Sequence, residues 1–349
     1  MKKRILLVAV LQLFLTLNSC SSDSESQPGT NPIEKGEIVA DYIIDGYVDD
    51  FVIGTDNIVY KIGQTDDEKG SRYMGLKKVD PQGKETALKY LDLGNFNFAN
   101  LTFANNGDLL MVAKGNTPDS DKILRFENNF SDLKPFYTMK PISSPFASKI
   151  NLLSISNNGD NTFFVFDYGN RQIKRFFPEL SGDMFVAGSE KNEIKDGTGL
   201  NASFGTVLKM ISLNNVQYII DNFYESSNGA YKSSNIRKVE YVNNEWKVTT
   251  LISTTNDESY NDITFDSKND LYVAVKGKGI YKLNLQDNSL SSFKEGEFKV
   301  RSTGQKITNS FGSIKMIKFI GNDMYMATSS DLIKISDFQT KFAKAAAEK

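Results

Sequence analysis

The sequence predicts an all-β fold, a six-bladed β-propeller of mainly four-stranded antiparallel blades. Three observations carry the prediction. The first is a sixfold repeat: apolar runs end at Tyr60, Ala113, Asp167, Asp221, Ala274 and Ala327, at intervals of 53 or 54 residues. A fixed period of this length marks an architecture in which each unit is one small sheet packed on its neighbours. The second is local texture. The segments around these markers are short, and Asn, Asp and Gly turn chemistry separates them, as in hairpins. The third is the lack of a long helical period, which leaves a repeat of this size to a four-stranded blade.

Taken in chain order, residues 1–19 read as a signal peptide. Lys2, Lys3 and Arg4 form a basic start, and Ile5 to Leu17 is apolar but short and broken by Gln12, a pattern of export rather than of a membrane span. Leu17-Asn18-Ser19-Cys20 resembles the lipobox of bacterial lipoproteins. That resemblance implies cleavage before Cys20, lipid on Cys20, and a membrane partner through that anchor. Residues 20–36, rich in Ser, Pro and Gly, have the composition of an extended tether. The acids Asp23 and Glu25 just after Cys20 resemble the signal that sends lipoproteins to the outer face of the outer membrane. The expected location is therefore an outer-membrane lipoprotein exposed at the cell surface, with the periplasmic face as the alternative.

The propeller is expected over 37–340. Blade two shows its logic: Leu101-Thr102-Phe103-Ala104, the turn Asn105-Asn106-Gly107-Asp108, the run Leu109 to Ala113, then the alternating Lys122 to Phe126. Blade three repeats it with Leu153 to Ser156, Asn157 to Asp160, Phe163 to Asp167 and Gln172 to Phe176. Blade five (Ile263 to Phe265, Leu271 to Ala274, Gly279 to Leu283) and blade six (Met316 to Phe319, Met324 to Ala327, Leu332 to Ile335) follow, and blades one and four are more degenerate. Glu37 to Ile43 is the natural strand to complete the sixth sheet and close the ring. Residues 341–349, Ala-rich, read as a tail.

Composition excludes several classes. The chain carries a formal charge of −2, which becomes −5 once Lys2, Lys3 and Arg4 leave with the signal. It has no basic block, so nucleic acid is not an expected partner. Cys20 is the only cysteine, so no disulfide forms, and a 40% hydrophobic composition must supply the stability through core burial.

Two stretches resemble NHL repeats, which build six-bladed propellers. One is Asp196-Gly197-Thr198-Gly199-Leu200-Asn201-Ala202-Ser203-Phe204, and the other is Val165 to Arg175 with its Asp167, Asn170, Ile173, Lys174 and Arg175. Asp221 with Asn235 to Val239, and Gly304, Ser310 and Phe311, carry further copies, while the usual Pro after the Phe is missing. The resemblance implies a fold and a broad family. Its residues read as structural: glycines for a tight turn, Phe204 and Phe311 as wedges between blades, and Asp167 and Asp221 as acceptors for loop backbone or for Arg171 and Arg237.

The chain has no histidine. That removes the commonest general base and zinc ligand. The candidate ligand-binding residues sit where inner strands enter the central channel: Asn100, Tyr260, Asn261 and Asp262, with Asn151 nearby. Lys209 and Met316 at the equivalent places leave no acidic cage evident. The longest insertion, in blade four, adds Tyr224 and Tyr231 as stacking groups, because loops on rigid scaffolds carry recognition. Trp246 reads as cross-strand packing, and Asp66-Asp67-Glu68 as a solvated turn.

The expectation is a non-enzymatic, lipid-anchored binding module of the cell envelope, taking a glycan, a peptide or a partner protein, with no cofactor and no catalytic residue. The alternative is a calcium-dependent hydrolase or lactonase resembling gluconolactonases, which would gather oxygen ligands for Ca²⁺ in the channel. A structural subunit of an envelope assembly is the third reading.

Overall fold

The computed structural model describes residues 38–66, 71–80, 82–91, 98–114, 119–140, 148–225, 229–255, 258–302 and 305–340. The signal, Cys20, the tether, Asp67, Glu68, Gly304 and the tail lie outside the described residues. The chain divides into Met1–Pro32 and Ile33–Lys349. The described part of the second unit folds into six β-sheets.

The six sheets are the blades. Blade 3 is a simple one: Leu152–Asn157, Phe163–Asp167, Gln172–Phe177 and Gly182–Ala187 pair in that order, inner to outer. The second strand of a blade is sandwiched by both neighbouring blades. Phe163–Asp167 and Leu271–Val275 are buried at every position. A strand buried on both faces is written as an unbroken apolar run rather than an alternating one, which is why the second strands stand out as a repeat. Outer strands such as Leu290–Glu295 are mostly part-exposed or exposed.

Six apolar clusters hold the ring, one at each interface between neighbouring blades. At the junction of blades 3 and 4, Phe166 meets Phe204 edge-on at 6.1 Å. Phe311 is fully buried between blades 5 and 6 with Ala274, Ile280 and Phe298. Both phenylalanines are the wedges the motif implied. Truncating either to Ala is expected to cost about 3–5 kcal/mol, from lost burial plus the cavity left behind.

The registers refine the repeat. Inner-strand residues Asp50, Asn100, Ser154, Lys209 and Asp262 pair with Ile62, Val112, Phe166, Ile220 and Ala274, and Met316 pairs with Ala327. Ala274 and Ala327 therefore do occupy equivalent depths. Ala113, Asp167 and Asp221 sit one position further along, and Tyr60 two positions earlier. Irregularities at Leu152/Ser154, Val207/Lys209 and Tyr260/Asp262 put an extra residue into the inner strand there, which a β-bulge does at the cost of local pairing.

Closure uses the start of the chain, as its sequence suggests. Val39–Asp45 pairs antiparallel with Asp331–Ile335, with Tyr42 opposite Ile333. Two sheets exceed four strands. A hairpin of Glu297–Ser302 and Gln305–Ser310 extends blade 6, running parallel to the closing strand with Val39 opposite Lys299. Gly197–Thr198 adds a short fifth strand to blade 4. Each addition covers an edge that would otherwise present unpaired backbone groups.

Candidate functional site

The central channel is built from one residue of each inner strand. At the same level stand Asp50, Asn100, Ser154, Lys209, Asp262 and Met316. Three of them tie their blade to the next in the same manner: Asp50 accepts from the Leu101 N–H at 2.8 Å, Asn100 from Ile155 at 2.9 Å, and Asp262 from Ile317 at 2.9 Å. Ser154 ties with its hydroxyl, which donates to the Val207 carbonyl at 3.0 Å. A buried polar group lost at such a position leaves its partner unsatisfied, which costs more than the bond itself contributes.

Blade 4 supplies a different group. The Lys209 ammonium crosses the ring to Asp50, with Nζ–Oδ1 at 2.6 Å and both side chains buried. Asp50 Oδ2 also accepts from the Asn100 amide at 2.6 Å. Burial alone would pull the Lys209 amine down, but the charges of Asp50 and Asp262 outweigh it and hold the group above its ordinary value. This network plugs the channel and divides it in two.

Toward the hairpin turns lies a cavity of about 310 Å³, lined by Val52, Asn100, Thr102, Ser156, Ser212 and Lys318 among others. Toward the mouth where inner strands begin lies a cavity of about 490 Å³. Four blades line this entrance cavity: blade 1 with Asp49, blade 4 with Lys209, Asn222 and Tyr224, blade 5 with Tyr260, Asn261 and Lys276, and blade 6 with Lys315 and Met316.

The entrance cavity holds polar groups that the fold leaves unused. Asp49 Oδ2 is buried and has no hydrogen-bond partner among the described residues. Burial first, then the charge of Asp50, push its carboxyl above the ordinary range, and Lys315 opposes them. The Tyr260 hydroxyl makes no hydrogen bond among the described residues, and burial with the nearby Glu258 charge raises the phenol above its usual value. Lys276 and Lys315 are exposed and have no ion-pair partner among the described residues. Asn261 spends its amide N–H on the Ile314 carbonyl at 2.8 Å. Tyr224 is 37% exposed, and its ring rests edge-on against Tyr231 at 5.7 Å.

Of the residues singled out from sequence, Tyr224, Tyr260 and Asn261 line one cavity, with Tyr231 behind Tyr224. Asn100 and Asp262 do not share their rim. Asn100 lines the turn-side cavity, and Asp262 lines neither, since its two oxygens take the Ile263 and Ile317 N–H groups. Both lie at the level of the plug, one step below the mouth. Asn151 donates its backbone N–H to Asp167 at 3.0 Å. Sequence reasoning missed Asp49, Lys276 and Lys315, which carry no signal beyond being charged residues near strand ends.

The repeat motifs are committed to structure. Asp167 accepts from the N–H groups of Asn151 and Gly169 and from the Asn170 amide at 2.7 Å. Arg171 turns instead to the Gly205 carbonyl and the Thr206 hydroxyl. In blade 4, Asp221 takes the Gly205 N–H and pairs with buried Arg237 at 2.7 Å. Desolvation pushes the Asp221 carboxyl up to about 6 against the pull of Arg237. Gly199 has φ +51, and a side chain on Gly197 would meet the Asn201 carbonyl at 2.8 Å, so the segment entering blade 4 needs both glycines. Trp246 stands opposite Tyr241 across the strand and packs edge-on on Phe164 of blade 3 at 5.4 Å.

No known family profile matches the chain, and no curated protein is similar to it in sequence. Solved structures share its fold. A provisionally assigned gluconolactonase is 9% identical, with 86% of this chain and 92% of that one covered and a TM-score of 0.52. Luciferin-regenerating enzyme is 9% identical over 84% of this chain and 92% of its own, with a TM-score of 0.51. Virginiamycin B lyase from Staphylococcus aureus, solved with quinupristin, is 12% identical over 83% and 94%, with a TM-score of 0.47. At such identities the first two likenesses show the fold class, a six-bladed β-propeller, and leave the chemistry to the residues of this chain.

Proposed function

We propose that this chain is a lipid-anchored binding module of the bacterial cell envelope, an NHL-like propeller held by Cys20 to the outer membrane and displayed at the cell surface. Its ligand is a glycan, a peptide or a segment of an envelope protein, received at the entrance cavity. One observation carries the reading: a cavity of about 490 Å³, of the size of ordinary ligand sites, is closed below by the Lys209–Asp50 pair and lined by polar groups that no internal bond uses. Tyr224 offers an exposed ring beside them.

Binding fits this site better than catalysis. The chain has no histidine, and among the described residues no nucleophile lining the cavity is bonded to a base. Calcium chemistry, the alternative, needs several oxygen ligands. Among the described residues no three His, Cys, Asp or Glu side chains converge, and the one carboxylate lining the entrance, Asp49, shares that lining with Lys209, Lys276 and Lys315. That donor set does not fit a divalent cation.

The test is a thermal-shift screen of the mature chain with calcium, glycans and peptides, followed by calorimetry, since a ligand of the native state raises its apparent stability. A glycan or peptide whose binding is lost in Tyr224→Ala supports the proposal. Calcium binding accompanied by lactone hydrolysis overturns it. The anchor is tested separately: Cys20→Ser should release the protein from membranes.

A further inference from the structure

Charge is distributed unevenly around the entrance cavity. At its margin, Glu258 is paired with Lys278 at 2.7 Å and Glu225 with Lys232 at 3.0 Å. Beneath it, Lys209 is neutralised by Asp50. Those pairs leave Lys276 from blade 5 and Lys315 from blade 6 as cations with no ion pair among the described residues, both lining the same concave wall. Among the described residues, the one carboxylate lining the cavity with them is Asp49 of blade 1. A concave wall concentrates the field of such charges. In a chain of formal charge −2, this is a local reversal of sign.

Resting on the reading of this cavity as a ligand site, we infer that it selects a carboxylate-bearing ligand, holding the anion between Lys276 and Lys315 and the polar body of the ligand against Tyr224 and the Tyr260 hydroxyl. The arrangement matches what a small acidic ligand needs. Two ammonium groups supply charge-assisted hydrogen bonds, and the Tyr224 face supplies area at little entropic cost. The free Tyr260 hydroxyl and the Asn261 carbonyl oxygen serve ligand hydroxyl or amide groups. Asp49 opposes the anion when ionised and becomes a hydrogen-bond donor when protonated. The charged groups facing Asp49 are Asp50 and Lys315, with Lys209 behind; burial and then Asp50 push its carboxyl above the ordinary range, and Lys315 opposes them.

The experiment uses matched pairs: glucuronate against glucose, and an N-acetyl amino acid against its amide. Affinities are measured by calorimetry on the mature chain at low and physiological salt. The acid of at least one pair is expected to bind about fivefold or more tightly than its neutral partner, with the advantage shrinking as salt rises. Lys276→Gln and Lys315→Gln should each weaken the acid about threefold to tenfold, the scale of one partly exposed charge. Both should leave the melting temperature unchanged and weaken the neutral partner less than the acid. Asp49→Asn should tighten the acid. Whichever pair binds identifies whether sugar or peptide carries the carboxylate. Equal binding of acid and neutral partners, abolished by Tyr224→Ala, would overturn this inference while keeping the site. No binding of any member at millimolar concentration would remove both.

Discussion

The two mouths of the channel are made from the same repeat and use their polar groups differently. At the turn mouth, most of the amide and hydroxyl side chains are spent on one another, with the buried Gln217 Oε1 an exception. Asn157 donates to the Phe103 carbonyl at 2.7 Å and to Asn105 at 2.9 Å. Asn158 donates to Asn215 at 2.6 Å and accepts from Gln217 at 3.1 Å. Ser156 and Ser212 share a hydrogen bond at 3.1 Å. At the entrance mouth, Asp49, Tyr260, Lys276 and Lys315 keep groups in reserve. A polar group satisfied within the protein stabilises the ring, whereas one left unsatisfied at a concave surface is available to a ligand. The difference separates scaffold from site within a single pseudo-symmetric object.

The sharpest way to break the comparison is to remove the wall between the mouths. Asp50→Ala leaves the Lys209 ammonium buried without its partner and should cost about 3–5 kcal/mol, measured by denaturant unfolding. Replacing both, Asp50→Leu with Lys209→Met, should recover most of that loss, because the charge to be desolvated is gone as well. If the single variant were as stable as the parent, the plug would be an incidental contact. Next in size is Asp262→Ala. It deprives the Ile263 and Ile317 N–H groups of their acceptor and should cost about 2–4 kcal/mol. Its effect on ligand affinity at the entrance should be small once stability is accounted for.

Asp221 sharpens the same contrast through pH. Its folded pKa, about 6, lies above the ordinary 3.8, so the native state binds a proton more tightly than the unfolded chain. That contribution is fully present below about pH 4 and is lost as pH rises through 6. Asp221→Asn should therefore flatten the stability profile between those limits, which pH-dependent unfolding would reveal. The smallest effect belongs to the turn mouth. Asn157→Ala removes partly exposed bonds and should cost about 1 kcal/mol or less, with no change in ligand binding.

How legible all this was depends on what each residue does. The second strands announced the blades because burial on both faces forces an apolar run. The inner strands hid their register, because bulges at Ser154, Lys209 and Asp262 add single residues without altering composition. The hairpin of Glu297–Ser302 and Gln305–Ser310 was illegible as an addition, since it shares the alternation of the blade it extends. At the site, Tyr260 and Asn261 could be placed by counting repeats, and Tyr224 was marked by the insertion that carries it. Asp49, Lys276 and Lys315 could not, because an isolated charge near a strand end resembles any solvated residue. The Lys209–Asp50 pair left a usable trace. Opposite charges at equivalent positions three blades apart face each other across a six-membered ring.

The closing strand sets an order of events for the newly made chain. Tyr42 is among the first residues of the ring and Ile333 among the last, yet they pair. Contacts between such distant positions are slow to form, because the intervening loop must be ordered first. The ring therefore cannot shut until its C-terminal blade has been synthesised. Until then Val39–Asp45 carries an open edge. Glu297–Ser302 emerges ahead of Asp331–Ile335 and pairs with the opposite side of the same strand. It can dock first, shield one edge from a second copy of the chain, and hold the strand for its final partner.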